Sequence, residues 1–226
     1  MIATVHVADL GIGGTVRTLL KRPKAEAVPG LRWADAASLV DLAATKPPSF
    51  RRAALFAFWD DERAVDAFEA DHPVAARFAD GFRTRLRPVR AFGSWPGLPE
   101  DVPRPRAVEH DGPVVVLTLG MLHLTQLVRF LRTSRPAERA AREAQGLVWG
   151  TASARPPFVA TISVWESADA TRAYAYGDRP PSHDEAIVEQ RRKDFHRRSA
   201  FVRFAPVRVE GALRGRNPLE AAAVQV

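Results

Sequence analysis

Two histidines, His183 and His196, stand in the stretch RPPSHDEAIVEQRRKDFHRRS, residues 179–199. Ser182 and Glu185 have the Ser-x-x-Glu spacing of a capping box, and Pro180 and Pro181 do not sit well inside a helix. A helix is therefore predicted to start at Ser182, with His183 in its first turn. There the helix dipole disfavours the imidazolium and keeps a neutral nitrogen able to bind a metal. Counting by helical period, Ile187 and either Gln190 or Arg191 share the His183 face, an apolar wall and a donor. The plain alternative is a polar first-turn residue with no further role. His196 falls about 220° further round the same helix. Its neighbours Lys193, Arg197 and Arg198 predict exposure, which makes it the second choice.

The chain of 226 residues has six histidines and no cysteine. Disulfides, iron–sulfur clusters, thiolate metal sites and cysteine nucleophiles are excluded, so a transition-metal or haem iron centre falls to histidine. His6 alternates with Val5 and Val7 in a first strand, facing either the open side or solvent. His123 reads as a capping or core residue at the head of a helix, and His110 as solvated. GIGGT, residues 11–15, lacks the Gly-Lys-Ser/Thr ending of a phosphate loop and a third glycine for a dinucleotide fingerprint, so it reads as a strand-to-helix turn. No Gly-x-Ser-x-Gly and no His-Glu-x-x-His occurs, which leaves no foothold for hydrolases or zincins. The net charge of +7 comes mostly from arginines scattered among acids. It reads as solvated surface and not as a nucleic-acid footprint, with a basic rim for an anionic ligand as the alternative.

The elements that must position these residues come in two copies. Gly-Leu-x-Trp recurs as GLRW, 30–33, and GLVW, 146–149. Each is followed by a Pro-Pro turn, an alternating run ending at Trp59 or Trp165, and acids that open a helix. VHVADLG and VVVLTLG precede the two copies, pairing Gly11 with Gly120. Each half reads strand, helix, strand, strand, helix, strand, the ferredoxin-like order. Helix apolar positions are exemplified by Leu124, Leu127, Val128 and Leu131. The expected fold class is α+β, with two tandem ferredoxin-like repeats packed as a pseudo-dimeric α+β barrel in one chain. Repeat 1 spans residues 1–95, a Pro- and acid-rich linker 96–112, repeat 2 residues 113–210, and a tail 211–226. Trp33, Trp59, Trp149 and Trp165 are repeat positions and read first as core filler, with Trp149 or Trp33 the candidates to line a ligand pocket. No apolar run approaches the roughly 20 residues of a membrane span, and MIATVHVADLG lacks a signal-peptide pattern. A soluble, cytoplasmic protein is expected, monomeric or homodimeric.

VPGLRW (28–33), GPVVVLT (112–118), VATISVWES (159–167), the PPSHDEAI…RRKDFHRRSAFVRF block (180–204) and GALRGRNPL (211–219) together resemble the spheroidene monooxygenase (CrtA-like) family of the dimeric α+β barrel superfamily. The resemblance implies a haem b (iron) oxygenase acting on an apolar small molecule, a carotenoid or another secondary metabolite, with an electron donor left unidentified. It also places His183 at the position of an axial ligand, with Trp149 lining the ligand space. Ile187 and Arg191 on the His183 face would then stand beside the cofactor, and His196 is the second choice. Arg191, Arg192 and Arg155 are candidate propionate partners, each read first as solvated surface. His72 is the first-half counterpart of His183. ADAASLVDLAATKPPS, 34–49, departs from the polar, Gly-rich stretch of the family. Two further readings stay open: a haem enzyme without oxygenation, dehydratase or peroxidase-like, and a non-catalytic ligand-binding protein or cofactor-free oxygenase.

Overall fold

The computed structural model describes residues 1–40, 50–104, 110–176 and 194–212, with 215, 217, 219 and 220. The first half contributes β1 (Ile2–Asp9), α1 (Gly11–Leu20), β2 (Leu31–Val40), β3 (Arg52–Trp59), α2 (Glu62–Asp71), α3 (Pro73–Ala76) and β4 (Phe82–Gly93). The second contributes β5 (Val114–Leu122), a 3-10 turn at Leu124–Gln126, α4 (Leu127–Arg142), β6 (Leu147–Arg155), β7 (Phe158–Trp165), α5 (Ala168–Tyr176) and β8 (His196–Glu210). All pairings are antiparallel, and the strands close in the order β1-β3-β2-β6-β7-β5-β8-β4. Each half is the expected ferredoxin-like sheet, and the long β4–β8 seam and short β2–β6 seam join the halves into one barrel.

Period-two alternation builds the interior. Val5, Val7, Phe56, Phe58, Leu117, Leu119, Phe158, Ile162, Val202 and Phe204 point into one continuous barrel core. Trp95, at the end of the first repeat, and Val102, in the described part of the linker, join this core from the segment after β4.

Local chemistry starts the helices. Asp61 caps α2 by accepting from the Ala64 amide at 3.0 Å, and Val65 and Phe68 then face the sheet. Gly30 and Gly146 are the clearest mark of the duplication. Both have positive φ, both carbonyls accept a bond from the amide of the residue just after the Trp that ends the second following strand (Asp60 after β3, Glu166 after β7), and a Cβ on either would collide with a helix alanine, Ala64 or Ala170.

The repeat register differs from the one the letters suggest. Ile2 lies opposite Trp59 as Val114 lies opposite Trp165, so His6 corresponds to Thr118, and Gly11 to His123. Gly120 is not the strand-to-helix turn expected from its match to Gly11, because β5 runs through it to Leu122. The GIGGT segment is itself the first turn and a half of α1. The apolar face of the second half's first helix is also placed otherwise: Leu124, Val128 and Leu131 are exposed.

Candidate functional site

Both halves have an outward sheet face, and the two are built differently. In the first half Thr4, His6, Leu55, Ala57 and Trp59 point outward and are fully covered by α2, α3 and the turn after α3, through Val65, Phe68, Val74 and Phe78. In the second half the outward residues are Val116, Thr118 and Gly120 on β5, Val159, Thr161 and Ser163 on β7, and Gly150, Ala152 and Ala154 on β6. These side chains are small, and all except the buried Gly120 remain half-exposed. Among the described residues, the same fold thus packs one face shut and leaves a half-exposed floor of small side chains on the other.

His196 stands at one end of this floor. It is the first residue of β8, not part of a helix, and it is half-buried instead of exposed as its basic neighbours suggest. The reason is Gly120 on the neighbouring strand: a Cβ there would lie 2.7 Å from the ring's Cδ2 and 2.9 Å from Nε2. The imidazole therefore lies over Gly120, while Phe130 of α4 meets its ring edge-on at 5.4 Å. Phe195 stands behind, with the Arg129 guanidinium 4.4 Å above its ring. Burial lowers the His196 pKa below its ordinary value. Asp194 opposes the shift and His123 adds to it. The ring is neutral at pH 7 and its nitrogens are chemically able to bind iron.

Gly120→Ala is expected to push the imidazole off the sheet. Its ring resonances and its titration in NMR should both move, with overall stability reduced by about 1–3 kcal/mol for the overpacked contact. An unchanged His196 titration would show that the ring does not depend on the glycine.

The structure describes only some of the other residues of the predicted site. His183, Ile187, Arg191 and Arg192 fall outside the described residues. Trp149 points into the barrel, with Phe82 at 6.4 Å, so it belongs to the interior and stands on the opposite side of β6 from Gly150 and Ala152. Trp33 is also interior, against Phe58, Trp95 and Phe158. Arg155 is not a free cation for a propionate: its Nη2 donates to both carboxylate oxygens of Asp35 at 2.6 Å and its Nε donates to the Ala36 carbonyl, tying β6 to β2. His72 caps α3 by accepting from the Val74 amide, and its ring stacks on Phe68. His123 is exposed at the head of the 3-10 turn, and His110 contacts the Pro113 carbonyl. His6 is fully buried, its Nε2 3.4 Å from a Glu69 oxygen and its ring between Phe68 and Phe78. A near-continuous apolar first strand was the available signal that it is enclosed on both faces. Among the described residues no cluster of three metal-ligating side chains occurs.

A separate cleft of about 530 Å³ opens beside Ser94, Trp95, Leu98, Glu100, Arg104 and Arg198. Its described lining offers no histidine. Among the described residues no helix is long and apolar enough to cross a membrane.

No family model matches the chain. The spheroidene monooxygenase of Rubrivivax gelatinosus is 37% identical over 176 residues, covering 75% of this chain and 66% of that protein. The spheroidene monooxygenase of Rhodobacter capsulatus is 29% identical over 185 residues, covering 77% of this chain and 75% of its own length. The chain thus spans just under two thirds of the Rubrivivax protein. A crystal structure of an aldoxime dehydratase superposes with a TM-score of 0.53 at 9% identity, covering 91% of this chain and 80% of that one, a likeness of fold alone.

Proposed function

We infer that this chain, which belongs to the spheroidene monooxygenase family, is a haem b monooxygenase acting on an apolar small molecule, a carotenoid or a related secondary metabolite. The observation that supports the reading is the unequal packing of the two outward faces. A flat macrocycle needs a floor of small side chains and a neutral imidazole at its edge or centre. Among the described residues, the second half alone offers both: Gly150, Ala152, Thr161, Ser163, Val116 and Thr118 as floor, and His196 over Gly120. On this ground the residues present fit the group.

His183 is the proposed axial ligand, with Ile187 as the apolar wall and Arg191 as the cation for a propionate. His196 is the second donor, already at the floor. Trp149 backs the floor from the barrel side of β6. Haem, when bound, supplies the oxygen activation. The chain's own residues hold it, keep water away through Phe130 and Phe195, and bind the substrate's apolar body. Of the two oxygen atoms of dioxygen one goes to the substrate and one leaves as water, with two electrons drawn from an external reductant and two protons from solvent.

Titrating the purified protein with hemin tests this. A Soret band saturating near one equivalent is expected. His183→Ala should abolish or shift the band and His196→Ala should leave it in place. The reverse pattern would move the ligand to His196, and no band in any form would end the haem reading. Oxygen uptake with a reductant and candidate substrates then separates an oxygenase from a dehydratase-like enzyme.

A further inference from the structure

Helix α1 presents an apolar stripe that nothing in the described structure covers. Thr15 and Thr18 are buried against the first-half sheet, and Arg77 donates to the Thr18 hydroxyl at 3.2 Å. The opposite side carries Ile12, Val16 and Leu20, which are 59%, 46% and 76% exposed. A spacing of four residues turns each by only about 40°, so the three form one line along the helix. Phe50 adds a fourth apolar side chain, an aromatic ring, at the N-terminal end. It is 51% exposed and precedes Arg51, whose carbonyl accepts from the Leu10 amide at 2.9 Å.

Cations edge this line. Arg17, Lys21 and Lys24 are exposed on or just after α1. Arg17 is close enough to Arg77 to depress its pKa, second to the effect of burial. Large aliphatic side chains in a row, bordered by arginine and lysine with glycines Gly13 and Gly14 between, are the chemistry of a helix lying in the headgroup region of a bilayer. We propose that α1 docks the protein on an anionic membrane surface, with Ile12, Val16, Leu20 and Phe50 entering the acyl boundary and Arg17, Lys21 and Lys24 meeting lipid phosphates.

A second copy of the chain suits this surface less well. A two-fold contact along α1 would set Arg17, Lys21 and Lys24 against their own copies. Four side chains also fall well short of the roughly 800 Å² per partner of a stable interface. A bilayer requires neither charge alternation nor a large complementary area. The proposal stands apart from the haem reading, because lipid docking needs no cofactor.

The test is flotation of the full chain with phosphatidylcholine vesicles made with and without phosphatidylglycerol, at low and raised salt. Wild-type protein should float with anionic vesicles, less so at raised salt. Val16→Glu/Leu20→Glu, both at exposed positions, should partition at least about tenfold more weakly, with an unchanged circular dichroism spectrum and the hemin titration of the wild type. Arg17→Glu/Lys21→Glu should lose the preference for anionic lipid. Wild-type protein that stays with the buffer, or a Val16→Glu/Leu20→Glu variant that floats equally well, would overturn the proposal. So would sedimentation equilibrium showing a dimer that the same variant converts to monomer without any vesicle binding.

Discussion

Phe158→Ala is expected to lower the unfolding free energy by about 3–5 kcal/mol, the usual range for deleting a buried ring from a core that cannot collapse around the loss. Phe158 is fully buried at the start of β7. Its ring centroid lies 5.8 Å from Trp33, 6.1 Å from Phe56 and 6.0 Å from Trp95, two of these near-perpendicular edge contacts. Trp33 and Phe56 come from the first half and Trp95 from the segment after β4, so one side chain of the second half fastens three elements of the first. The loss therefore falls on the interface between repeats and not on one repeat alone. Phe158→Leu, which keeps most of the volume, should cost less than about 1.5 kcal/mol. Urea denaturation followed by tryptophan fluorescence checks both values. Equal midpoints for wild type and Phe158→Ala would mean that the barrel interior is not the packed body described.

How much of this was legible before folding depends on the range of the interaction. The duplication could be read because Gly30 and Gly146 solve the same local problem, a positive φ under a helix alanine. Period-two runs such as ALFAFW and ATISVW announced β3 and β7, since each strand is buried on a known face. The register of β1 against β5 was misleading because two glycines look alike in sequence while one opens a helix and the other lies inside a strand. His196 was misplaced because charged residues at 197 and 198 mask the start of β8, and a register shift opposite Met121 and Leu122 turns His196 onto the face away from Ala200, Val202 and Phe204. The unequal outward faces depend on what covers them, which is long-range packing. Even so, Gly150, Ala152 and Ala154 alternate with Trp149, Thr151 and Ser153 along β6. That small-residue alternation was the one local sign of an open floor.

Glu69→Ala is expected to cost about 3 kcal/mol at neutral pH, because it removes the main partner of an enclosed guanidinium. Arg85 is 5% exposed and donates to Glu69 at 2.6 Å, with Asp66 at 2.7 Å as a more exposed second partner. His6 stands on the other carboxylate oxygen at 3.4 Å, completing an acid held between β1, β4 and α2. Burial alone pushes the Glu69 carboxyl up. The close approach of His6 and the hydrogen-bonded Arg85 guanidinium outweigh it and hold the pKa at about 2, down from 4.5. Between those two values the unfolded chain binds the proton and the folded one does not. The stabilisation is therefore complete above about pH 4.5 and drains away as the pH falls toward 2, amounting to about 3 kcal/mol at 1.36 kcal/mol per unit. Glu69→Gln keeps a hydrogen-bonding oxygen and loses the charge, so its deficit should be smaller at pH 7 and shrink toward zero in acid. Unfolding free energies of wild type and Glu69→Gln at pH 7, 5 and 3 check this. Curves that stay parallel across that range would show that the Glu69 carboxylate does not carry the acid sensitivity of the first half. Curves that converge would show that the face corresponding to the proposed cofactor floor is closed by a charge cluster as well as by its apolar roof.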